Sequence, residues 1–211
     1  MCSAYFLKRV QRQAERAAQS LLDRLAAEAH DRELPLIRPT DPAPVIVQRG
    51  VDGPQLEFAR WGLVPHWAKD TTIARQTFNA RAETIAEKPA FRDSFRKSRC
   101  LVPASGWFEW TGEKKSKIRH SVMPPDDTGL FFAGLFATWK RPDGEWLPTF
   151  TIVTVDAIDS LGHLHTRMPH TLTREHAALW LEGTADDAMQ LLAANDLDYA
   201  IDPPVPGPGL L

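Results

Sequence analysis

Cys2 is the residue whose position carries the most chemistry in this chain. A small residue at position 2 is the usual condition for removal of an initiator methionine, and removal of Met1 leaves Cys2 with a thiol and a free α-amine on adjacent carbons. An α-amine has a reference pKa of about 7.7–8.0, against about 10.4 for lysine, so an appreciable fraction is nucleophilic near pH 7 without the burial a lysine needs. Such a 1,2-aminothiol attacks an aldehyde through nitrogen to give a Schiff base, and the thiol then closes on the same carbon to form a thiazolidine. An internal cysteine has no such route, because its nitrogen is tied up in a peptide bond. On position alone, an incidental cysteine is the competing reading. Cys100 lies in an apolar, strand-like context and reads as a reduced core thiol.

Three further groups invite a chemical reading. Ser105-Gly106-Trp107-Phe108-Glu109-Trp110 places one carboxylate among aromatics; in a strand, Trp107 and Glu109 face one way while Phe108 and Trp110 face the other. Burial there would raise the Glu109 pKa toward that of a general acid, whereas a surface glutamate would keep its ordinary value. Phe78-Asn79-Ala80-Arg81-Ala82-Glu83-Thr84 offers Asn79, either a turn residue or a site residue, and Arg81 with Glu83, readable as a surface pair. His163, His165 and His170 fall within eight residues. One catalytic or phosphate-facing histidine with two neighbours is the preferred reading, and a zinc or non-haem iron site stays open beside it. No metal or cofactor is expected.

These residues have to be positioned by a chain of 211 residues, 43% hydrophobic and 25% charged, enough for one substantial core. The formal net charge of −2 neither demands nor excludes nucleic acid. Residues 75–99 hold seven basic side chains against three acidic, a local surplus that suits a phosphate surface or a solvated face. No apolar run of bilayer or signal-peptide length is present, so a cytoplasmic protein is expected, with a monomer as the default. Residues 10–30 predict a helix, and 45–47 with 56–59 predict a hairpin. Residues 89–99 predict a short helix with Phe91 and Phe95 on one face. Strands are predicted over 101–110, 117–123, 130–139 and 149–155. Residues 174–194 read as helical with Leu179, Trp180, Met189, Leu191 and Leu192 as core candidates, and 202–211 as a disordered end. The sum is a single α+β domain, 1–197, with a strongly curved, mostly antiparallel, barrel-like β core flanked by helices, followed by a Pro/Gly-rich tail, 198–211.

Six segments, in order, resemble the SOS-response-associated peptidase (SRAP) family. They are Met1-Cys2, Trp61-Gly62-Leu63-Val64-Pro65-His66-Trp67-Ala68-Lys69, Asn79-Ala80-Arg81-Ala82-Glu83-Thr84, residues 100–110, Phe150-Thr151-Ile152-Val153-Thr154 and His165-Thr166-Arg167-Met168-Pro169. The resemblance spans roughly residues 1–182 and implies a protein that crosslinks itself to abasic sites in single-stranded DNA. It implies Cys2 as nucleophile, Asn79 holding the α-amine, Glu109 shuttling protons and His165 assisting at the sugar hydroxyl. Arg81 and Arg167 would clamp phosphates, Pro39 and Trp67 would form the apolar wall against which bases stack, and Thr154 would touch the backbone. A weak β-elimination lyase and a self-cleaving peptidase activity are further implications. The departure is Ser3-Ala4, where the family usually has Gly-Arg. The alternative function is a cysteine peptidase using Cys2, His165 and Asn79 on a peptide partner without DNA.

Overall fold

A computed structural model describes residues 2–8, 21–113, 116–126, 129–193, 197–203 and 205–206. In chain order the elements are β1 (Tyr5–Phe6), α1 (Leu21–His30), β2 (Pro42–Gln48), β3 (Pro54–Trp61), β4 (Asn79–Arg81), α2 (Arg92–Lys97), β5 (Arg99–Ala104), β6 (Gly106–Thr111), β7 (Ile118–Met123), β8 (Leu130–Lys140), β9 (Trp146–Asp156), β10 (Arg167–Pro169), β11 (Thr171–Leu172), α3 (Arg174–Glu182), α4 (Ala185–Leu191), β12 (Ala200–Ile201) and β13 (Val205–Pro206). The first half of the 10–30 helix prediction, and most of the predicted tail beyond residue 203, lie outside the described residues.

Five strands close on themselves in the order β9-β3-β2-β5-β8 and back to β9. Every pairing in this ring is antiparallel except β3 with β9, and β4 also joins β9 in parallel. The sequence shows why both faces can be covered. Val45, Val47, Cys100, Val102, Phe132 and Ile152 belong to one buried cluster. The residues between them (Ile46, Leu101, Phe131, Ala133 and Val153) belong to another, which also holds Phe95, Ala177, Trp180 and Leu191 from the helices. Strand alternation therefore sends one set into the barrel and the other outward under a helical layer. The expected α+β domain with a curved, barrel-like β core is what the chain forms.

A second, smaller sheet runs β1-β6-β7-β12, with β13 also on β7. Tyr5, Trp107 and Val122 share the barrel's interior cluster, so this sheet packs onto the barrel core. The prediction of one strand over 101–110 is corrected here: the run breaks at Ser105 into β5 of the barrel and β6 of the small sheet. Ser105 donates its amide to the Phe6 carbonyl, and a side chain at Gly106 would come within 2.3 Å of the Val122 carbonyl oxygen, so the crossover admits only glycine. The helical stretch predicted over 174–194 forms two helices, α3 and α4. Thr184 caps α4 through a reciprocal capping box with Asp187, which starts a new helix after Gly183. Leu179 and Met189, predicted core, are exposed at 42% and 39%, while Trp180, Leu191 and Leu192 are buried.

Arg99 does not contribute to a basic surface. It is buried, and its guanidinium donates to the carbonyls of Trp180 (2.6 Å) and Phe95 (2.8 Å) and to that of Gly183. It ties the ends of α2 and α3 to the barrel, satisfying carbonyls that helix geometry leaves open.

Candidate active site

Asn79 opens β4, which lies parallel to β9 with Asn79 opposite Ile152 and Arg81 opposite Thr154. Its approach is fixed by the aromatic segment before it. The Trp61 indole donates to the Phe78 carbonyl at 2.7 Å, and Leu63 and Thr77 bond each other through amide, hydroxyl and carbonyl groups. Because Ala80 turns to the helix-covered side, Asn79 and Arg81 share the opposite one. Asn79 is buried and donates through Nδ2 to the Cys2 carbonyl at 2.6 Å; its Oδ1 is buried with no hydrogen-bond partner. Arg81 is exposed at the end of the same strand.

Cys2 is fully buried, with its thiol 3.8 Å from the Ala4 carbonyl. Burial first, and then the nearby Glu109 charge, push the thiol far above its ordinary pKa. Glu109 sits on β6, Trp107 belongs to the interior cluster, and Phe108 packs instead with Phe6 on the other side of the sheet, as strand alternation requires. Glu109 is 5% exposed, and burial raises its pKa to about 7. Its Oε1 and the Trp107 Nε1 are both buried without a hydrogen bond of normal geometry, although the nearby indole N–H still opposes the rise weakly.

The loop before β10 brings in His165. Its Nδ1 lies 2.8 Å from the Arg167 amide and 3.1 Å from the Arg167 carbonyl, so the backbone of that residue holds the ring in place. Burial lowers its pKa, so the ring is neutral at pH 7. Glu109, Trp107, His165, Arg167 and Met168 line one cavity of about 10 Å³, room for a water-sized group. Asn79 and Glu109 thus both act on Cys2, and His165 shares a cavity with Glu109.

Other predicted contacts sit differently. Arg167 is only 11% exposed and engages Glu83 (2.6 and 3.1 Å), Asp156 (2.6 Å) and the Thr154 carbonyl (2.5 Å). Thr154 is fully buried, its hydroxyl directed to the Ala80 carbonyl, so its contribution here is to hold Arg167. Pro39 is half-buried and Trp67 is 49% exposed. His163 is exposed and His170 fully buried, so the three histidines do not converge, and among the described residues no group of metal-ligating side chains is assembled. Sequence reasoning did not foresee the partnership of Glu83 and Asp156 with Arg167. Eighty-four positions separate Glu83 from Arg167, and no spacing rule links them.

The sequence profile of the SOS response associated peptidase (SRAP) family matches residues 1–201. The chain belongs to the SRAP family. Among its relatives, the abasic site processing protein YoqW of Bacillus subtilis (strain 168) is 41% identical over 143 residues, 66% of this chain and 64% of that one. The abasic site processing protein HMCES of Xenopus tropicalis is 32% identical over 163 residues, 65% of this chain and 49% of that one. The chain thus spans less than two thirds of the length of either relative. A crystal structure of a protein from Bacteroides thetaiotaomicron superposes with a TM-score of 0.75 at 27% identity, covering 95% of this chain and 91% of the other. For this SRAP domain, the match takes in every element of the site, from Cys2 to Arg167. Among the described residues no helix is long and apolar enough to cross a membrane.

Proposed function

We propose that this protein processes abasic sites in single-stranded DNA by forming a thiazolidine crosslink through Cys2. The observation that carries the reading is the gathering of Cys2, Asn79 and Glu109: one amide bonded to the Cys2 carbonyl, and one buried carboxyl with a pKa of about 7 acting on the Cys2 thiol. Its relatives bear the name abasic site processing protein. An abasic deoxyribose equilibrates with its ring-opened aldehyde, the electrophile that a 1,2-aminothiol prefers.

The chemistry needs a free α-amine on Cys2, which loss of Met1 would supply. Asn79 Oδ1, buried and unmet, accepts an N–H of that amine and aims its lone pair. The amine adds to the aldehyde carbon, Glu109 protonates the departing hydroxyl, and one water leaves. The Cys2 sulfur then adds to the C=N carbon while its proton returns to Glu109. A carboxyl with a pKa of about 7 serves in both directions at neutral pH. Neutral His165, its Nδ1 held by the Arg167 backbone, stands beside Glu109 to assist at the sugar hydroxyl. Exposed Arg81 meets phosphate, and Trp67 and Pro39 offer apolar surface to bases.

A cysteine peptidase acting without DNA fits less well. It requires an ionised thiol, and burial pushes this thiol the other way. The deciding experiment mixes Met1-free protein with single-stranded DNA carrying one abasic site and resolves the products on a denaturing gel. A covalent band that disappears in Cys2→Ala is expected. Peptide hydrolysis without any covalent band would replace this reading with the peptidase.

A further inference from the structure

The cavity beside Glu109 holds one polar group that the proposed chemistry leaves unused. Trp107 stands two residues before Glu109 on β6, so both side chains point to the same face of the small sheet. Trp107 is 1% exposed and Glu109 5%, and both line the cavity of about 10 Å³ that His165 also borders. The Trp107 Nε1–H and the Glu109 Oε1 each lack a hydrogen bond of normal geometry. A buried indole N–H ordinarily finds an acceptor; this one leans on the Glu109 carboxyl and lowers its pKa slightly, but the contact falls short of a normal hydrogen bond, so a small oxygen seated between the two would complete both. The indole cannot swing toward another acceptor, because its ring is held edge-on by Phe132 (6.1 Å between centroids) and Tyr199 (5.2 Å).

We infer that the Trp107 indole N–H is a catalytic hydrogen-bond donor that receives the oxygen leaving the sugar carbon and seats it against the Glu109 carboxyl. This rests on the crosslinking reading above. Once the Cys2 nitrogen has added to the aldehyde, the carbinolamine carries a hydroxyl. Its C–O bond breaks as the nitrogen lone pair forms C=N, the Glu109 proton moves to the departing oxygen, and water and a carboxylate result. Trp107 donates a hydrogen bond to that oxygen throughout and keeps its own proton. The cavity has room for the single water released. When sulfur adds to the C=N carbon, its electron pair forms C–S, the C=N pair returns to nitrogen, and the thiol proton restores the Glu109 acid.

The test compares Met1-free wild type with Trp107→Phe and with a chain carrying 3-benzothienylalanine at position 107, which keeps the bicyclic shape and replaces N–H by sulfur. Single-turnover crosslinking to an abasic single strand is followed across pH, with binding and thermal unfolding measured in parallel. Both variants are expected to crosslink about tenfold more slowly, the worth of one hydrogen bond. The falling limb of the pH profile is expected to move to higher pH, because the indole N–H no longer favours the carboxylate. Should Trp107→Phe fail to fold, the benzothienyl chain decides, since it preserves the packing. Wild-type rate and profile in the benzothienyl chain overturn this inference alone. A wild-type protein that forms no crosslink sinks the crosslinking reading and this inference together.

Discussion

Asn79 reaches across 77 positions of sequence to donate its Nδ2 to the Cys2 carbonyl at 2.6 Å, and so fixes the start of the chain against β4. Its other end, Oδ1, is buried and unmet, an acceptor suited to the amine that Met1 removal would expose. Asn79→Ala is expected to slow crosslinking by about 10²-fold, the scale of a misplaced nucleophile. Asn79→Asp makes a sharper test. A carboxylate beside the amine favours its protonated, unreactive form, so crosslinking should be slow at pH 7 and recover as pH rises. A rate in Asn79→Asp that does not depend on pH more steeply than wild type would remove Asn79 from this role.

Glu109 is expected to show itself in stability as well as in rate. Its pKa rises from 4.5 to about 7 through burial, so between those values the folded chain keeps a proton that the unfolded chain has lost. The stability this provides is full below about pH 4.5 and is lost as pH rises through about 7. Glu109→Gln cannot ionise and should gain on wild type in thermal unfolding at pH 8 relative to pH 5. Crosslinking by Glu109→Gln should fall by about 10²–10⁴-fold, the usual worth of a positioned acid. Equal pH dependence of unfolding in the two proteins would mean that Glu109 is not buried as described.

These two residues also mark how far the sequence could be read. Alternation along residues 107–110 assigned Glu109 and Trp107 to one face before any contact was known, because period-two geometry is local. The barrel strands were legible for the same reason, as the apolar runs at 45–47, 130–139 and 149–155 have no helical alternative. Breaks set by distant partners were not legible. The kink at Ser105 depends on the Phe6 carbonyl and on Val122 leaving no room beside Gly106. The end of α3 is set by the Thr184 cap, and the fate of Arg99 by three carbonyls, two of them about eighty residues away. The basic surplus over 75–99 counted Arg99 with the exposed cations, and composition has no means of separating them.

Arg99→Met should therefore behave as a stability variant. Each lost charge-assisted hydrogen bond leaves a helix-end carbonyl without its donor, and a total loss of about 3 kcal/mol is expected, since such terms do not add fully. Single-strand affinity and its salt dependence should match wild type at temperatures where the variant is folded. A reduced salt slope at full folding would return Arg99 to the phosphate surface.

His170 is expected to weaken the fold in acid. It is fully buried between β10 and β11, and neither ring nitrogen completes a hydrogen bond of normal geometry. Burial, aided by His176, depresses its pKa from 6.5 to about 4. The unfolded chain takes up a proton that the folded chain refuses, so stability is full above about pH 6.5 and drains away as pH falls toward 4. His170→Leu should melt higher than wild type at pH 5 and show a smaller difference at pH 8. The same displacement at both pH values would trace the effect to packing alone.

Arg167 offers a test of the proposed DNA contact. Its guanidinium is shared between Glu83 and Asp156, so one positive charge faces two negative ones, and the Arg167 hydrogen bond holds the Glu83 carboxylate below its ordinary range. A phosphate approaching Arg167 has to displace a carboxylate, although the nearby Arg81 charge offsets part of the repulsion. Glu83→Gln removes one of the two and leaves an amide that still accepts from the guanidinium. The variant should bind abasic-free single-stranded DNA about two- to fivefold more tightly at low salt, the scale of an exposed ion pair. The gain should fade at higher ionic strength, where a charge half in water is screened. Weaker binding in Glu83→Gln would assign the opposite role, in which Glu83 holds Arg167 in the pose that DNA requires. Crosslinking by the same variant separates the two effects, because the Arg167 amide that fixes His165 belongs to the backbone and is untouched by the exchange.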